Sequence, residues 1–134
     1  MVGLAPGDSV GEGRRARKTF MILLVDDDET VRETSADMLQ ELGYEVWQAD
    51  SAQSALTMLE QQGFDVMVTD IRMPGMSGLE LSELAVGRHS DLKIILMSGY
   101  YQPQVLHRRF LQKPFCTLDL DQAILAELQA ERPA

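Results

Sequence analysis

The sequence predicts an α/β protein built on a single doubly wound sheet of five parallel strands. Apolar runs of strand length alternate along the chain with segments whose apolar residues recur at helical spacing. Strands that alternate with helices form βαβ units, which give a parallel sheet covered by helices on both faces. The length of 134 residues and the hydrophobic content of 45% suit one domain with a substantial core.

The first half of the chain supplies two strand–helix units. The run FMILLV at 20–25 is apolar throughout, as expected of a strand buried on both faces. Apolar residues at helical spacing predict a helix over 29–42, which Gly43 ends. The short strand EVWQA at 45–49 follows, and then a helix over 51–62 that begins with a capping serine.

The second half continues the alternation. FDVMVTD at 64–70 is predicted to be a strand, LELSELAV at 79–86 a helix, and LKIILMS at 92–98 the fourth strand. A fifth strand is predicted at 109–112. The closing helix at 118–130 carries leucine and isoleucine at helical spacing. Together these elements place the domain at 20–130.

The two ends of the chain lie outside this predicted domain. Residues 1–19 contain several glycines, Pro6 and a basic cluster, without any apolar periodicity. They are interpreted as a linker, a leader or the tail of a preceding domain. Residues 131–134 are interpreted as a C-terminal tail.

The charge and the cysteine count exclude several classes of protein. The net charge is −9, and the first 18 residues carry four basic against two acidic groups, which leaves −11 for the remainder. Such an acidic body repels phosphate backbones, so direct nucleic-acid binding is not expected. Cys116 is the single cysteine, which excludes an internal disulfide. No apolar run approaches the ~18 residues of a membrane span, so we expect a cytoplasmic protein without membrane association.

Polar residues stand where the predicted strands end. Three aspartates at 26–28 follow the first strand, Asp70 ends the third, Ser98 ends the fourth and Lys113 follows the fifth. The carboxyl ends of parallel strands meet at one edge of the sheet. Carboxylates that converge there repel each other unless a hard divalent cation such as Mg²⁺ binds between them. The nearby ammonium and hydroxyl groups leave room for a phosphoryl group.

Four motifs carry a resemblance to a known family. LLVDDDE, VTDIRMPGMSG, IILMSGY and FLQKPF lie in this order along the chain. From Met21 to about Gln129 the sequence resembles a response-regulator receiver domain of two-component signalling, and FLQKPF and MSGY resemble receivers attached to hybrid histidine kinases. The resemblance implies a flavodoxin-like sheet with strand order 2-1-3-4-5.

The resemblance also implies a metal site. Asp27 and the phospho-acceptor Asp70 would be direct ligands of Mg²⁺, and Asp26 would hold a metal-bound water. The backbone carbonyl of Arg72 would supply another ligand, while its side chain is expected to point to solvent. Mn²⁺ is expected to substitute for Mg²⁺.

The remaining implied roles concern the phosphoryl group. Asp70 would accept it, Ser98 would bond one of its oxygens, and Lys113 would pair with Asp70 or with the phosphoryl group. Pro114 would follow a cis peptide bond. Phe110 occupies the position of the family's switch aromatic, which would rotate inward once Ser98 moves toward the phosphate.

The function implied is that of a signalling switch activated by phosphorylation. The phosphoryl group would come from a histidine of a sensor histidine kinase or of a histidine phosphotransfer protein. The domain would catalyse at most its own phosphorylation and dephosphorylation, so it is not expected to be an enzyme with an external substrate.

The segment after Ser98 departs from the family pattern. Only 14 residues separate Ser98 from Lys113, whereas a parallel crossover needs about a dozen residues before its strand is counted. The fourth crossover helix is therefore predicted to be shortened to about a turn and a half, beginning at Pro103. In the family this surface commonly transmits the signal through docking or dimerisation. The shortening is compatible with metal binding and phosphorylation but argues against the usual output face. A homodimer is one of the assemblies considered.

Two alternatives remain open on the sequence. A pseudo-receiver would bind partners without being phosphorylated. The shortened crossover favours it slightly, whereas the complete set of Asp27, Asp70, Ser98 and Lys113 argues against it. A haloacid-dehalogenase-type phosphatase would use an opening motif that matches Asp26, Asp28, Thr30 and Val31. That enzyme also needs a later acidic pair at a strand end, whereas Asp119 and Asp121 fall at a predicted helix start.

Overall fold

A computed structural model describes residues 19–100 and 107–130 of the chain. Its sheet has five parallel strands in the order β2-β1-β3-β4-β5. The strands are β1 (Met21–Val25), β2 (Glu45–Ala49), β3 (Val66–Asp70), β4 (Lys93–Ser98) and β5 (Arg109–Gln112). The predicted fold class and strand order are confirmed.

Four helices cover the two faces of the sheet within the described residues. They are α1 (Glu29–Glu41), α2 (Ala52–Gln61), α3 (Gly78–Arg88) and α4 (Thr117–Gln129). Helices α1 and α4 pack on one face, and α2 and α3 on the other. Helix α3 begins at Gly78, one residue before the predicted 79–86, because Ser77 and Glu80 form a capping box at its start. It ends at Arg88, two residues later than predicted.

Strand β1 is apolar at every position because its side chains pack into a core on each face of the sheet. Leu23 and Val25 pack into the cluster beneath α2 and α3, whereas Ile22 and Leu24 pack beneath α1 and α4. All four side chains are fully buried. A strand covered on both faces cannot alternate apolar with polar residues, so the continuous run follows from its central place in the sheet.

The fourth crossover connects Ser98 at the end of β4 to Arg109 at the start of β5. The predicted short helix from Pro103 falls mainly on residues 101–106, which lie outside the described residues, as do 1–18 and 131–134. On the far side of the gap, Arg108 pairs with Glu83 of α3 at 3.1 Å. Arg109 pairs with Glu127 of α4 at 2.8 Å. Salt bridges to helices on both faces of the sheet therefore fix the start of β5.

The four helices are also too short or too polar to cross a bilayer. Within the described residues, no helix has the length and apolar character that a membrane span requires.

Tyr44 lies between α1 and β2 and contacts α4. Its hydroxyl donates a hydrogen bond to Asp121 Oδ1 at 3.2 Å. Burial, together with the charge of Asp121 and this hydrogen bond, raises the pKa of Tyr44 to about 12. Each cause disfavours the phenolate, because burial removes water and the neighbouring carboxylate repels a second negative charge.

This pKa predicts a stability change at high pH. The folded-state pKa exceeds the ordinary tyrosine value of about 10. The neutral phenol therefore contributes fully to the free energy of unfolding below the ordinary pKa. The contribution is lost as the pH rises through the folded-state pKa. We expect ultraviolet titration to show one tyrosine ionising near pH 12 and Tyr44→Phe to remove that transition. If all the tyrosines ionise together near pH ~10, the Tyr44–Asp121 contact is wrong.

Candidate functional site

Three carboxylates meet at the carboxyl edge of the sheet. Asp26 and Asp27 follow β1, and Asp70 ends the neighbouring strand β3. One oxygen from each lies within 4.8 Å of the others. Asp26 and Asp70 are buried and Asp27 is exposed, so the group opens to solvent on one side. A set of oxygen donors with one open side fits Mg²⁺, which takes a few carboxylates and retains several waters.

Lys113 lies across two of these carboxylates. Its Nζ is 2.8 Å from Asp26 Oδ2 and 3.3 Å from Asp70 Oδ1. The Lys113 backbone N–H donates to the Ser98 carbonyl at 2.8 Å, which fixes the residue just beyond the end of β5. The peptide bond between Lys113 and Pro114 is cis.

The electrostatics of the site follow from burial and crowding. Burial raises the pKa of Asp70; the Lys113 ammonium opposes that rise, and the charges of Asp26 and Asp27 add to it. Burial alone would lower the pKa of Lys113, but its contacts with Asp26 and Asp70 outweigh burial and raise it. One ammonium therefore compensates three carboxylates only in part, which favours a further cation.

Asp26 is held by contacts that its place in the sequence does not indicate. Its Oδ1 accepts the backbone N–H of Asp28 at 3.0 Å, and its carbonyl accepts Arg32 Nη1 at 2.9 Å. Arg32 also donates to Gln48 Oε1 at 3.0 Å. The sequence points to Arg32 only through its place one helical turn after the aspartate run.

The backbone around Asp70 is fixed by close packing against Gly78. The Ile71 N–H donates to the Met97 carbonyl and the Gly78 N–H to the Ile71 carbonyl, each at 2.9 Å. A Cβ atom on Gly78 would collide with the Asp70 carbonyl oxygen. The sequence does not reveal this role of Gly78, because a close backbone approach leaves no signal beyond the glycine itself.

Ser98 and Phe110 lie on the other side of Asp70, on β4 and β5. Ser98 is buried, and its Oγ accepts the backbone N–H of Tyr100 at 3.1 Å. Phe110 is half-buried and packs against the core cluster beneath α2 and α3. Arg72 is exposed in the loop after β3, and its guanidinium carbon lies 4.6 Å from the centroid of the Tyr100 ring.

A protein-family model matches most of the chain. The model described as response regulator receiver domain matches residues 22–125. The chain belongs to the response-regulator receiver family. The haloacid-dehalogenase alternative is therefore set aside; consistently, Asp119 and Asp121 lie in α4 and not at a strand end.

Curated relatives of this receiver domain include regulators and sensor kinases. FixJ of Azorhizobium caulinodans, a transcriptional regulatory protein, is 36% identical over 84% of this chain and 55% of its own length. The sensor kinase CckA of Brucella abortus is 34% identical over 82% of this chain and 13% of its own length. The response regulator FleR of Pseudomonas aeruginosa is 39% identical over 59% of this chain, which spans 17% of FleR. The receiver domain thus covers less than a fifth of the length of the latter two.

Solved structures show the same fold. TrrA of Thermotoga maritima, in complex with Mg(2+)-BeF, has a TM-score of 0.76 and 32% identity, covering 82% of this chain and 100% of that one. The receiver domain of the hybrid histidine kinase CckA has a TM-score of 0.72 and 32% identity, covering 81% and 99%.

Proposed function

We propose that this receiver domain is a phosphorylation-activated switch whose acceptor is Asp70. The observation that carries the proposal is the position of this carboxylate. It is buried at the end of β3, lies within 4.8 Å of two further carboxylates, and pairs with Lys113 Nζ at 3.3 Å. A rigidly held carboxylate surrounded by groups that neutralise charge is suited to phosphoryl transfer.

In the proposed reaction the donor is a phosphohistidine. A carboxylate oxygen of Asp70 forms a bond to phosphorus while the bond between phosphorus and the imidazole nitrogen breaks. The electron pair of that bond stays on the imidazole. Dephosphorylation reverses the outcome with water as the nucleophile, so Asp70 leaves as a carboxylate and inorganic phosphate is released.

The cation proposed for this site is Mg²⁺, with Mn²⁺ as a substitute. Asp27, Asp70 and the backbone carbonyl of Arg72 would hold it, and Asp26 would act through a water. When bound, Mg²⁺ supplies positive charge that offsets the phosphoryl oxygens. The related TrrA structure is a complex with Mg(2+)-BeF, which supports this choice.

Ser98 and Lys113 are proposed as donors to the phosphoryl group. The Ser98 hydroxyl accepts from Tyr100 N–H, so its own hydrogen can point toward a phosphoryl oxygen at Asp70. Movement of Ser98 toward that oxygen would open space beside Phe110, which packs on the adjacent strand. The proposed output is a shift between two conformations, and not a released product.

The proposed partner is a sensor histidine kinase or a histidine phosphotransfer protein. Relatives such as CckA and CqsS of Vibrio cholerae are sensor kinases that contain a matching segment. We propose a cytoplasmic location, no direct contact with nucleic acid, and a homodimer as one form of the output.

The test is an intact-mass measurement after incubation with Mg²⁺ and acetyl phosphate. We expect one labile phosphoryl adduct on the wild-type chain and none on Asp70→Asn. Removal of Mg²⁺ by a chelator should also abolish the adduct, because the carboxylates then repel the donor. Asp91→Asn is the matched control, since Asp91 is an exposed aspartate just before β4, at the end of that strand opposite Ser98. A wild-type chain that binds Mg²⁺ but never gains the adduct would favour the pseudo-receiver.

A further inference from the structure

The side chain of Arg72 connects two loops at the carboxyl edge of the sheet. Arg72 is two residues after Asp70, and Tyr100 is two residues after Ser98. The Arg72 guanidinium carbon lies 4.6 Å from the Tyr100 ring centroid, so the pair joins the loop after β3 to the loop after β4. These are the two strand ends between which the phosphoryl group would lie.

Among the described residues Arg72 differs from the other two cations near the carboxylates. Lys113 is bonded to Asp26 and lies beside Asp70, and Arg32 is bonded to the Asp26 carbonyl and to Gln48. For Arg72 the contact found in this part of the chain is the aromatic face of Tyr100. An exposed cation–π contact of this kind is weak, whereas a guanidinium binds phosphoryl oxygens through strong, often bidentate hydrogen bonds.

The backbones on both sides of the contact are fixed. Ile71 and Met73, which flank Arg72, are buried, and the Ile71 N–H is bonded to Met97. The Tyr100 N–H is bonded to the Ser98 hydroxyl. The part of Arg72 that can move is therefore its exposed side chain, and the Tyr100 backbone is linked to the hydroxyl that we place on the phosphoryl group.

We propose that the Arg72 side chain leaves the Tyr100 ring and binds the phosphoryl group when that group is attached to Asp70. In the unphosphorylated protein Tyr100 holds the guanidinium, and the arrival of the phosphoryl group draws it away and releases the ring. The inference rests on the proposed function. It assigns a role to the Arg72 side chain, distinct from that of its backbone carbonyl.

The exchange makes opposite predictions for the two side chains. We would measure binding of beryllium fluoride, a phosphoryl mimic, at fixed Mg²⁺ by ¹⁹F NMR. Arg72→Ala should weaken binding about threefold or more, because a charge-assisted contact is lost. Tyr100→Ala should tighten binding roughly two- to fivefold, because the competing cation–π contact is lost. Tyr100→Phe keeps the aromatic face and should bind like the wild type.

The control and the double variant separate the exchange from a structural effect. Arg88→Ala removes an exposed arginine that pairs with Glu60 at 3.0 Å on another face, and it should not change the affinity. In the Arg72→Ala background, Tyr100→Ala should no longer tighten binding. In the wild type, ring-current shifts of the Arg72 side-chain protons should disappear when the mimic binds.

The outcomes distinguish the two proposals. If the wild type does not bind beryllium fluoride with Mg²⁺, the proposed function fails, and the exchange fails with it. If the wild type binds but the Arg72 and Tyr100 variants bind equally well, the proposed function stands and the exchange is wrong. Weaker binding in both single variants would also overturn the exchange, since it would indicate a merely structural contact.

Discussion

Gly78→Ala should destabilise the domain by about 2–3 kcal/mol, the upper part of the range of roughly 1–3 kcal/mol for forcing an extra carbon into packed structure. The added Cβ would collide with the Asp70 carbonyl oxygen and lie 2.9 Å from Asp70 C and 3.0 Å from Ile71 Cα. These atoms are backbone, so the clash cannot be relieved by a side-chain rotation. The strand end that carries the acceptor, or the start of α3, must shift.

The shift should also impair phosphorylation. A displaced Asp70 no longer meets the donor in line, and misplacements of about 1 Å can lower a rate by two orders of magnitude. We therefore expect at least about a tenfold slower reaction with acetyl phosphate. Gly87→Ala, in the same helix, is the matched control, because its added Cβ meets nothing within 4 Å. It should stabilise the protein by up to about 1 kcal/mol. Equal stability of the two variants in urea denaturation would contradict the packing described at Gly78.

Lys113→Ala should be comparably costly in the absence of Mg²⁺. The variant leaves Asp26, which is fully buried, next to Asp70 without a cation. Removing one partner of a buried ion pair costs about 3–5 kcal/mol. Because a fifth of the Lys113 side chain is exposed, we expect a loss of about 2–4 kcal/mol.

Mg²⁺ should partly rescue this variant. With Lys113 gone, the carboxylates attract a cation more strongly, so Mg²⁺ should raise the melting temperature of Lys113→Ala more than that of the wild type. Lys93→Ala removes a lysine whose ammonium contacts the Ala130 carbonyl at the opposite edge, and it should show neither effect. A Lys113→Ala variant as stable as the wild type without Mg²⁺ would show that the lysine does not balance the carboxylates.

The fold could be predicted from the order of strands and helices along the chain. The polar residues that meet at one edge of the sheet could be predicted because they stand at the ends of the predicted strands. The apolar run of β1 indicates a strand covered on both faces, and the order of strands and helices fixes a parallel sheet. In such a sheet Asp26, Asp70 and Lys113 must meet at one edge, whatever the details of packing. In the structure, Lys113 Nζ forms ion pairs with both aspartates.

The supporting contacts could not be predicted because they depend on side-chain conformation or on close backbone approach, neither of which leaves a pattern in the sequence. Arg72 was expected to point to solvent; it is exposed, but it lies on the ring of Tyr100. Arg32 reaches back to the Asp26 carbonyl across the first turn of α1. In the sequence Gly78 cannot be distinguished from other glycines. Only the structure shows that the Asp70 carbonyl leaves no room for a Cβ atom there.

The most direct measurement locates the phosphoryl group itself. After incubation with Mg²⁺ and acetyl phosphate, borohydride reduces an aspartyl phosphate to homoserine, which peptide mass spectrometry can place in the sequence. We predict conversion at Asp70, with Asp26, Asp27 and Asp28 unchanged. Conversion at another aspartate, or at none while Mg²⁺ is bound, would contradict the assignment of Asp70 as the acceptor.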